Sequence, residues 1–295
     1  MTKFLNATLG VTGASGNLGR HVVNYLKDAG AKRIVAISRS PDKLKDLAGP
    51  GVEFRKGSFD EPAGLATAFA GVERLLIVST DSLHTRAQQQ MAAADAAIKA
   101  GVKHIAYTGI VSPYPDASHD AQVPNSHFWT EVHIAASGVD FSFLRNNQYT
   151  DYLLPGAHHA VASGTLYHAA GAGRRAYVTR EDCAAAAAAA LLTAEGKHVY
   201  DIGGLEAISA DELAVILSEI SGKPVKAVSL PAEGFAAGLE QAGLPHEMAG
   251  VLTRFDTDAG KGYLAIVSGA FDALTGRKPR SVVDFLKAHK SAIVS

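Results

Sequence analysis

The sequence predicts an α/β fold, a doubly wound parallel sheet with a smaller α+β lobe at its C-terminal side. Three observations carry this expectation. Short apolar runs alternate with helical patterns through the first half of the chain, which is the arrangement of crossover units feeding a parallel sheet. Several of the helical patterns end on glycine, at Gly30, Gly71, Gly101 and Gly138, the residue best able to adopt a left-handed closing turn. The first apolar run also turns directly into a helix through a glycine-rich loop, VTGASGNLGR.

The expected strands are ATLGVTG, RIVAISR, VEFRKG, RLLIVST, HIAYTG and FSFLRN. Between them NLGRHVVNYLKDAG, PDKLKDL, EPAGLATAFAG, TRAQQQMAAADAAIKAG and HFWTEVHIAASG carry apolar residues at helical spacing. Beyond Asn147 the pattern loosens. YVTREDCAAAAAAALLTAEG reads as a helix entered through Thr179 and left at Gly196, with HVYDIGG as a following strand. Alanine has the highest helix propensity, so this run needs no functional explanation. DELAVILSEISG is a further helix, PVKAVSL a strand, residues 231–265 helical but broken, and SVVDFLKAHK the last helix. The expected division is a nucleotide-binding domain over residues 1–150, with sheet additions from about 175–205, and a substrate-binding lobe over 151–295 packed on the sheet edge.

Composition limits the function. Among 295 residues, Lys plus Arg number 28 and Asp plus Glu 29, so no global field favours nucleic acid or an anionic membrane. A small-molecule partner is expected, with no nucleic acid, no membrane, and nothing that marks an oligomer face. The opening MTKFLNATLGVTG runs into a strand and does not read as a secretory leader. The run AAAAAAALL after Cys183 is about half the length a bilayer-spanning helix needs. A single cysteine excludes an internal disulfide and fits a reducing compartment. The expected location is the cytoplasm.

The loop places Gly13, Gly16 and Gly19 between a strand and a helix. Such a bend needs one residue free of Cβ clashes, one where a pyrophosphate approaches the backbone, and one where helix meets sheet. The helix N-terminus then offers N–H groups and partial positive charge to phosphates. About 20 residues past such a loop, NAD enzymes place an acid for the ribose hydroxyl and NADP enzymes a cation for the extra phosphate. Here the segment is AISRSPDKL: Arg39 stands beside Ser38 at the end of the second strand, and Asp42 already belongs to the next helix. A guanidinium grips phosphate through two parallel hydrogen bonds. The expected cofactor is NADP(H), on a Rossmann-type sheet.

VTGASGNLG, AISRSPDKL, HIAYTG and above all FLRNNQYTDY resemble the NmrA-like branch of the short-chain dehydrogenase/reductase superfamily, nearest to its bacterial quinone and triphenylmethane dye reductases. The likeness runs over nearly the whole chain, including AGVKHIAYTG and LSEISGKPV. It implies a nucleotide domain, a small C-terminal lobe and a substrate cleft between them. By the same resemblance Gly13, Ala14, Ser15, Gly16, Asn17 and Leu18 line the pyrophosphate, and Arg39 the 2′-phosphate. Ser79 and Thr80 fall on the adenosine side, although a plain turn explains them equally well. Asn146 and Asn147 fall on the nicotinamide side.

Most of the wider superfamily uses a Tyr and a Lys four residues later, the lysine lowering the phenol's pKa for proton exchange. No tyrosine of this chain has Lys at that spacing. Where that pair would sit, His127 and Glu131 share one helix face, an arrangement the resembled reductases also show. In one account His127 is the proton donor, held in one tautomer by Glu131. In the other, which is favoured, an electron-poor acceptor takes hydride directly and His127 only positions or assists. A purely structural, hydrogen-bonded His127 is the third possibility. Tyr149, just after the sixth strand, can stack on a flat acceptor, donate from its hydroxyl, or simply seal the core. His133 is expected to point away from His127. A metal is not expected: HxxxE is not HExxH, and His158 with His159 supplies no ligand-plus-base geometry.

The resulting expectation is an NADPH-dependent reductase of quinones or similar planar, electron-poor compounds, catalysing without the Tyr-Lys pair. The alternative is an NmrA-like redox sensor that binds the dinucleotide without turnover. Reduction of an activated carbon–carbon double bond ranks third, because HFWTEVHIAASG lacks the lysine that chemistry uses.

Overall fold

The computed structural model describes residues 2–116 and 122–294. Its centre is a seven-stranded sheet built from β1 (Thr8–Val11), β2 (Arg33–Ser38), β3 (Val52–Lys56), β4 (Arg74–Ile77), β5 (His104–Ile110), β6 (Asp140–Asn146) and β9 (Lys197–Ile202), in the order β3-β2-β1-β4-β5-β6-β9. The chain leaves β1 in one direction to make β2 and β3, then returns to the other side of β1 for β4 and β5. The pairs β1 to β2, β2 to β3, β1 to β4 and β4 to β5 are all parallel. Strands covered on both faces read as continuous apolar runs; all four residues of β4 are buried, and so are five of the six in β2.

The helices between these strands are α1 (Asn17–Asp28), α2 (Leu65–Ala68), α3 (Arg86–Lys99), α4 (Gln122–Ala136) and, before β9, α6 (Arg180–Thr193). Gly30, Gly71, Gly101 and Gly138 close their turns with φ of 83°, 72°, 84° and 83°, as the glycine spacing anticipated. PDKLKDL differs from expectation: Pro41–Leu47 is a 3₁₀ helix. Its buried residues, Leu44 and Leu47, are three apart, the period of a 3₁₀ turn. The alanine run of α6 is buried from Asp182 to Ala188. The end of α6 is capped by buried Arg74 of β4, which donates to the carbonyls of Ala190, Leu191 and Ala194 and lies over the Phe4 ring.

The chain divides into two compact units, one of Met1–Arg145, Arg180–Tyr200 and Ala270–Arg277, the other of Asn146–Thr179, Asp201–Gly269 and Lys278–Ser295. Each has its own core. In the first, Leu75, Ile77, Ile105, Tyr107 and Phe143 pack with Ala93, Ala97 and Ile134. The second contains α5 (Leu153–Ser163), β7 (Thr165–His168), β8 (Arg174–Arg175), β10 (Ile208–Ser209), α7 (Ala210–Ser221), β11 (Lys226–Ser229), α8 (Ala232–Gln241) and α9 (His246–Gly260). Its strands form two small ribbons, β7 with β11 in parallel and β8 with β10 antiparallel. The first unit closes with α10 (Ala270–Thr275); α11 (Val282–Ala288) and α12 (Lys290–Val294) return to the second, whose core joins Ala160, Leu213, Leu217 and Phe285. Helix α7 begins at a full capping box, Ser209 accepting from Glu212 N while the Glu212 side chain accepts from Ser209 N.

Candidate active site

The bend after β1 has the geometry that its three glycines suggest. Gly13 takes a left-handed φ of 60°, which a side chain resists. A Cβ on Gly19 would lie 2.4 Å from the Gly13 carbonyl oxygen and 2.9 Å from the Ala14 Cα, so α1 can lean on the loop only without one. Gly16 is the N-cap of α1, where no side chain caps the helix and its first turn holds no acid. Gly13, Gly16 and Asn17 are exposed, whereas the side chains of Ala14 and Leu18 are buried, leaving those two only their backbone to offer a ligand. An exposed, uncapped and unopposed helix N-terminus fits the pyrophosphate of a dinucleotide.

Ser15 in this loop shares a 2.8 Å hydrogen bond with Ser38, the last residue of β2. Arg39 follows immediately. Its side chain is 72% exposed, with the Asp60 carboxylate 3.7 Å away. Asp60 in turn accepts from Gln89 Nε2 at 2.7 Å. The guanidinium thus stands at the carboxyl end of β2, free to extend, one residue from the hydroxyl pair that ties the strand to the glycine loop.

After β4, Ser79 and Thr80 are tied by their backbones. Ser79 N donates to Thr108 Oγ1 and Thr80 N to Gln90 Oε1, at 2.9 and 3.1 Å. The Thr80 carbonyl accepts from Arg86 Nε.

His127 is 5% exposed on α4, and its Nδ1 lies 2.6 Å from the hydroxyl of Tyr107 on β5. Burial, aided by the Arg86 guanidinium, holds the imidazole pKa down at about 3. Burial pushes the Tyr107 phenol up from its ordinary value. Both rings are therefore neutral across the physiological range. Glu131, expected to hold His127 in one tautomer, has an arginine for a partner. It is buried on the same face, but its carboxylate is gripped by Arg145 of β6, with Nε 3.1 Å from each oxygen and Nη2 2.6 Å from Oε2. Helical spacing put the two residues on one side; it could not show that an arginine from the next strand would claim the carboxylate. His133 does point elsewhere, to Asp95 of α3 at 2.7 Å.

In the second unit, Asn146 is buried and donates from Nδ2 to the Tyr149 hydroxyl at 3.2 Å. Its Oδ1 is buried with no hydrogen-bond partner among the described residues, a state that costs free energy until a donor arrives. Asn147 is committed to the backbone: it donates from Nδ2 to the Leu264 carbonyl and accepts at Oδ1 from Gln148 N. The Tyr149 ring lies 5.7 Å from that of Tyr152, itself exposed. Among the described residues no group of three or more His, Cys, Asp or Glu could hold a metal ion, and no helix is long and apolar enough to cross a membrane.

The sequence matches the NmrA-like family over residues 6–263. This chain belongs to that family. Quinone oxidoreductase 2 of Escherichia coli (strain K12) is 38% identical to it over 279 residues, 94% of this chain and 96% of that protein. The crystal structure of the NADPH-dependent quinone oxidoreductase of Escherichia coli complexed with NADPH superposes with a TM-score of 0.88 at 35% identity, covering 96% of this chain and 99% of that one. The Citrobacter sp. triphenylmethane reductase complexed with NADP(H) gives 0.87 at 34% identity, over 95% and 99% of the two chains.

Sequence reasoning missed Tyr107, Gln90, Thr130 and Arg145. Thr130 lies within the HFWTEVH helix itself, and Tyr107, Gln90 and Arg145 reach that helix from other parts of the chain. No local spacing links Tyr107 to His127, and Tyr107 falls out of any search for a Tyr followed by Lys.

Proposed function

We propose that this NmrA-like protein is an NADPH-dependent oxidoreductase that passes hydride to a quinone or a similarly planar, electron-poor acceptor, dye-like compounds included. The observation that carries the reading is the uncapped glycine bend tied through Ser15 and Ser38 to the strand end bearing Arg39. The similarity to quinone and triphenylmethane reductases over nearly the full chain supports it.

When bound, NADPH supplies the hydride. Backbone amides of residues 13–18 hold its pyrophosphate against the end of α1, and Arg39 turns from Asp60 to the 2′-phosphate. Asn146 offers its unpartnered Oδ1 as an acceptor on the nicotinamide side, while Asn147 keeps the loop behind it in place. Ser79 and Thr80 form the turn on the adenosine side, and Tyr149 presents a flat surface to the acceptor. His127 is a neutral hydrogen-bond donor to an oxygen of the acceptor, not an ionised acid. A quinone takes up one hydride and one proton to become the hydroquinone; the proton comes from water, because the buried imidazole carries none to spare at neutral pH. Glu131 belongs to the framework that holds α4 on β6. The cytoplasm suits the single, buried Cys183.

The test is steady-state oxidation of NADPH by the purified protein with benzoquinones, naphthoquinones and triphenylmethane dyes. Turnover with NADPH preferred over NADH is expected. Tight, redox-selective dinucleotide binding with no turnover on any of them would replace this reading with that of a sensor.

A further inference from the structure

Tyr107 belongs to a chain of hydrogen bonds in which the direction of each proton can be worked out from its two ends. At one end the Thr80 backbone N–H, which can only donate, points at Gln90 Oε1 from 3.1 Å. This fixes which end of the Gln90 amide is oxygen, and turns its NH₂ toward Tyr107 Oη and Thr130 Oγ1, both 2.9 Å away. At the other end the Ser126 carbonyl, which can only accept, lies 2.7 Å from Thr130 Oγ1. The threonine hydrogen is therefore used there, and Thr130 accepts from Gln90. The second Gln90 hydrogen goes to the phenol oxygen. The Thr130 hydroxyl also stands beside the phenol, but with its hydrogen on the Ser126 carbonyl and its oxygen taken by Gln90, the phenol's own hydrogen goes to His127 Nδ1, 2.6 Å away. An imidazole that accepts at Nδ1 and is neutral carries its hydrogen on Nε2.

We infer that Tyr107, aligned by Gln90 and Thr130, is a positioning residue that locks His127 as a fixed Nε2–H donor toward a carbonyl oxygen of the acceptor. The acceptor's identity rests on the reductase reading above; the lock itself rests only on the bonds just described. Gln90, Tyr107, Ser126, His127 and Thr130 are all at least nine-tenths buried, so water does not compete for the bonds among them. Arg86 holds the Thr80 segment from the other side, donating to its carbonyl, which keeps the first donor of the chain in register. A donor fixed in direction before the acceptor arrives costs no reorganisation when negative charge grows on the oxygen. Nothing in this scheme changes protonation state, and neither ring is asked to ionise.

The test reads the tautomer directly. In the full chain with ¹⁵N-labelled histidine, two-bond proton–nitrogen correlation at neutral pH resolves Nδ1–H from Nε2–H rings, and the His127 signal among the 12 histidines is assigned by its loss in His127→Gln. The wild type is expected to show His127 wholly as Nε2–H. Tyr107→Phe is expected to leave a mixture of tautomers and to lower kcat with a quinone by about 10-fold, less than the loss of a whole oxyanion donor, with NADPH affinity unchanged. Should that variant fail to fold, Gln90→Met removes the donor one bond further back and is expected to give the same mixture. A wild-type Nδ1–H signal, or a Tyr107→Phe protein with wild-type tautomer and wild-type kcat, overturns the inference. A wild type that oxidises no NADPH with any quinone sinks the reductase reading instead, and leaves the tautomer spectrum to judge the lock alone.

Discussion

Arg145 and Glu131 form a two-toothed ion pair between β6 and α4, with the carboxylate buried and the guanidinium partly open to solvent. Breaking one side of a buried pair strands the other charge. Glu131→Gln is expected to cost about 1.5–3 kcal/mol of stability, the range for a hydrogen bond to a charged group. Urea denaturation measures this, and kcat per folded molecule should stay within about threefold of wild type if Glu131 is framework and not catalyst. A hundredfold loss of turnover in a stably folded variant would return Glu131 to the chemistry.

Arg39 is expected to select the dinucleotide. Arg39→Ala should weaken NADPH by about 1.5–3 kcal/mol and leave NADH nearly untouched; calorimetric titration of both cofactors decides it, and equal losses mean the 2′-phosphate is read elsewhere. Asp60, 3.7 Å from the guanidinium, competes with the phosphate. Asp60→Asn should therefore tighten NADPH relative to NADH by roughly 0.2–1 kcal/mol, the scale of an exposed pair.

Gly19 and Gly16 separate packing from ligand approach. A methyl at Gly19 meets main-chain atoms at 2.4 and 2.8 Å, whereas at Gly16 its nearest neighbour is the Gly13 oxygen at 3.2 Å. Gly19→Ala is expected to destabilise the fold by about 1–3 kcal/mol as overpacking does, seen in the melting temperature. Gly16→Ala should melt close to wild type and lose NADPH affinity. The reverse pattern would mean that the loop's roles are misassigned.

Stability should fall on mild acidification. Burial holds both His104 and His127 at about 3, helped by Arg74 and Arg86 respectively, and also lowers His168. The unfolded rings bind protons below about pH 6.5 while the folded ones do not, so stability is fully present above that value and is lost as pH falls from there toward about 3. Each of His104 and His127 contributes a slope of up to about 1.4 kcal/mol per pH unit in that window. Urea midpoints measured between pH 7 and pH 4 check this, and His104→Gln should flatten the curve. Turnover should show no histidine-like inflection between pH 5 and 8. One that vanished in His127→Gln would show that the ring ionises after all.

The sheet was legible because buried parallel strands leave a plain mark, short apolar runs such as RIVAIS and RLLI closed by turn residues. The glycine bend was legible for a related reason: a residue without Cβ at position 19 has a steric cause that acts within one turn of chain. The two small ribbons were harder. β7 and β11 are short and half exposed, and nothing in TLYH or KAVS selects its partner. The surroundings of His127 were illegible for a stronger reason. Its helix face could be read, but Tyr107 arrives from β5, Gln90 from α3 and Arg145 from β6, a convergence that exists only once those elements are stacked.

The hydrogen-bond chain behind His127 ends on the Thr80 amide and the Ser126 carbonyl, and main-chain groups neither release nor accept protons at ordinary pH. It works as a clamp and not as a wire. No stored proton waits behind the imidazole, so replacing the solvent with D₂O should leave kcat nearly unaltered while deuterium at the transferred position of NADPH slows it. Such a donor would then be indifferent to how basic the reduced product is, a tolerance suited to a reductase that meets acceptors of many structures.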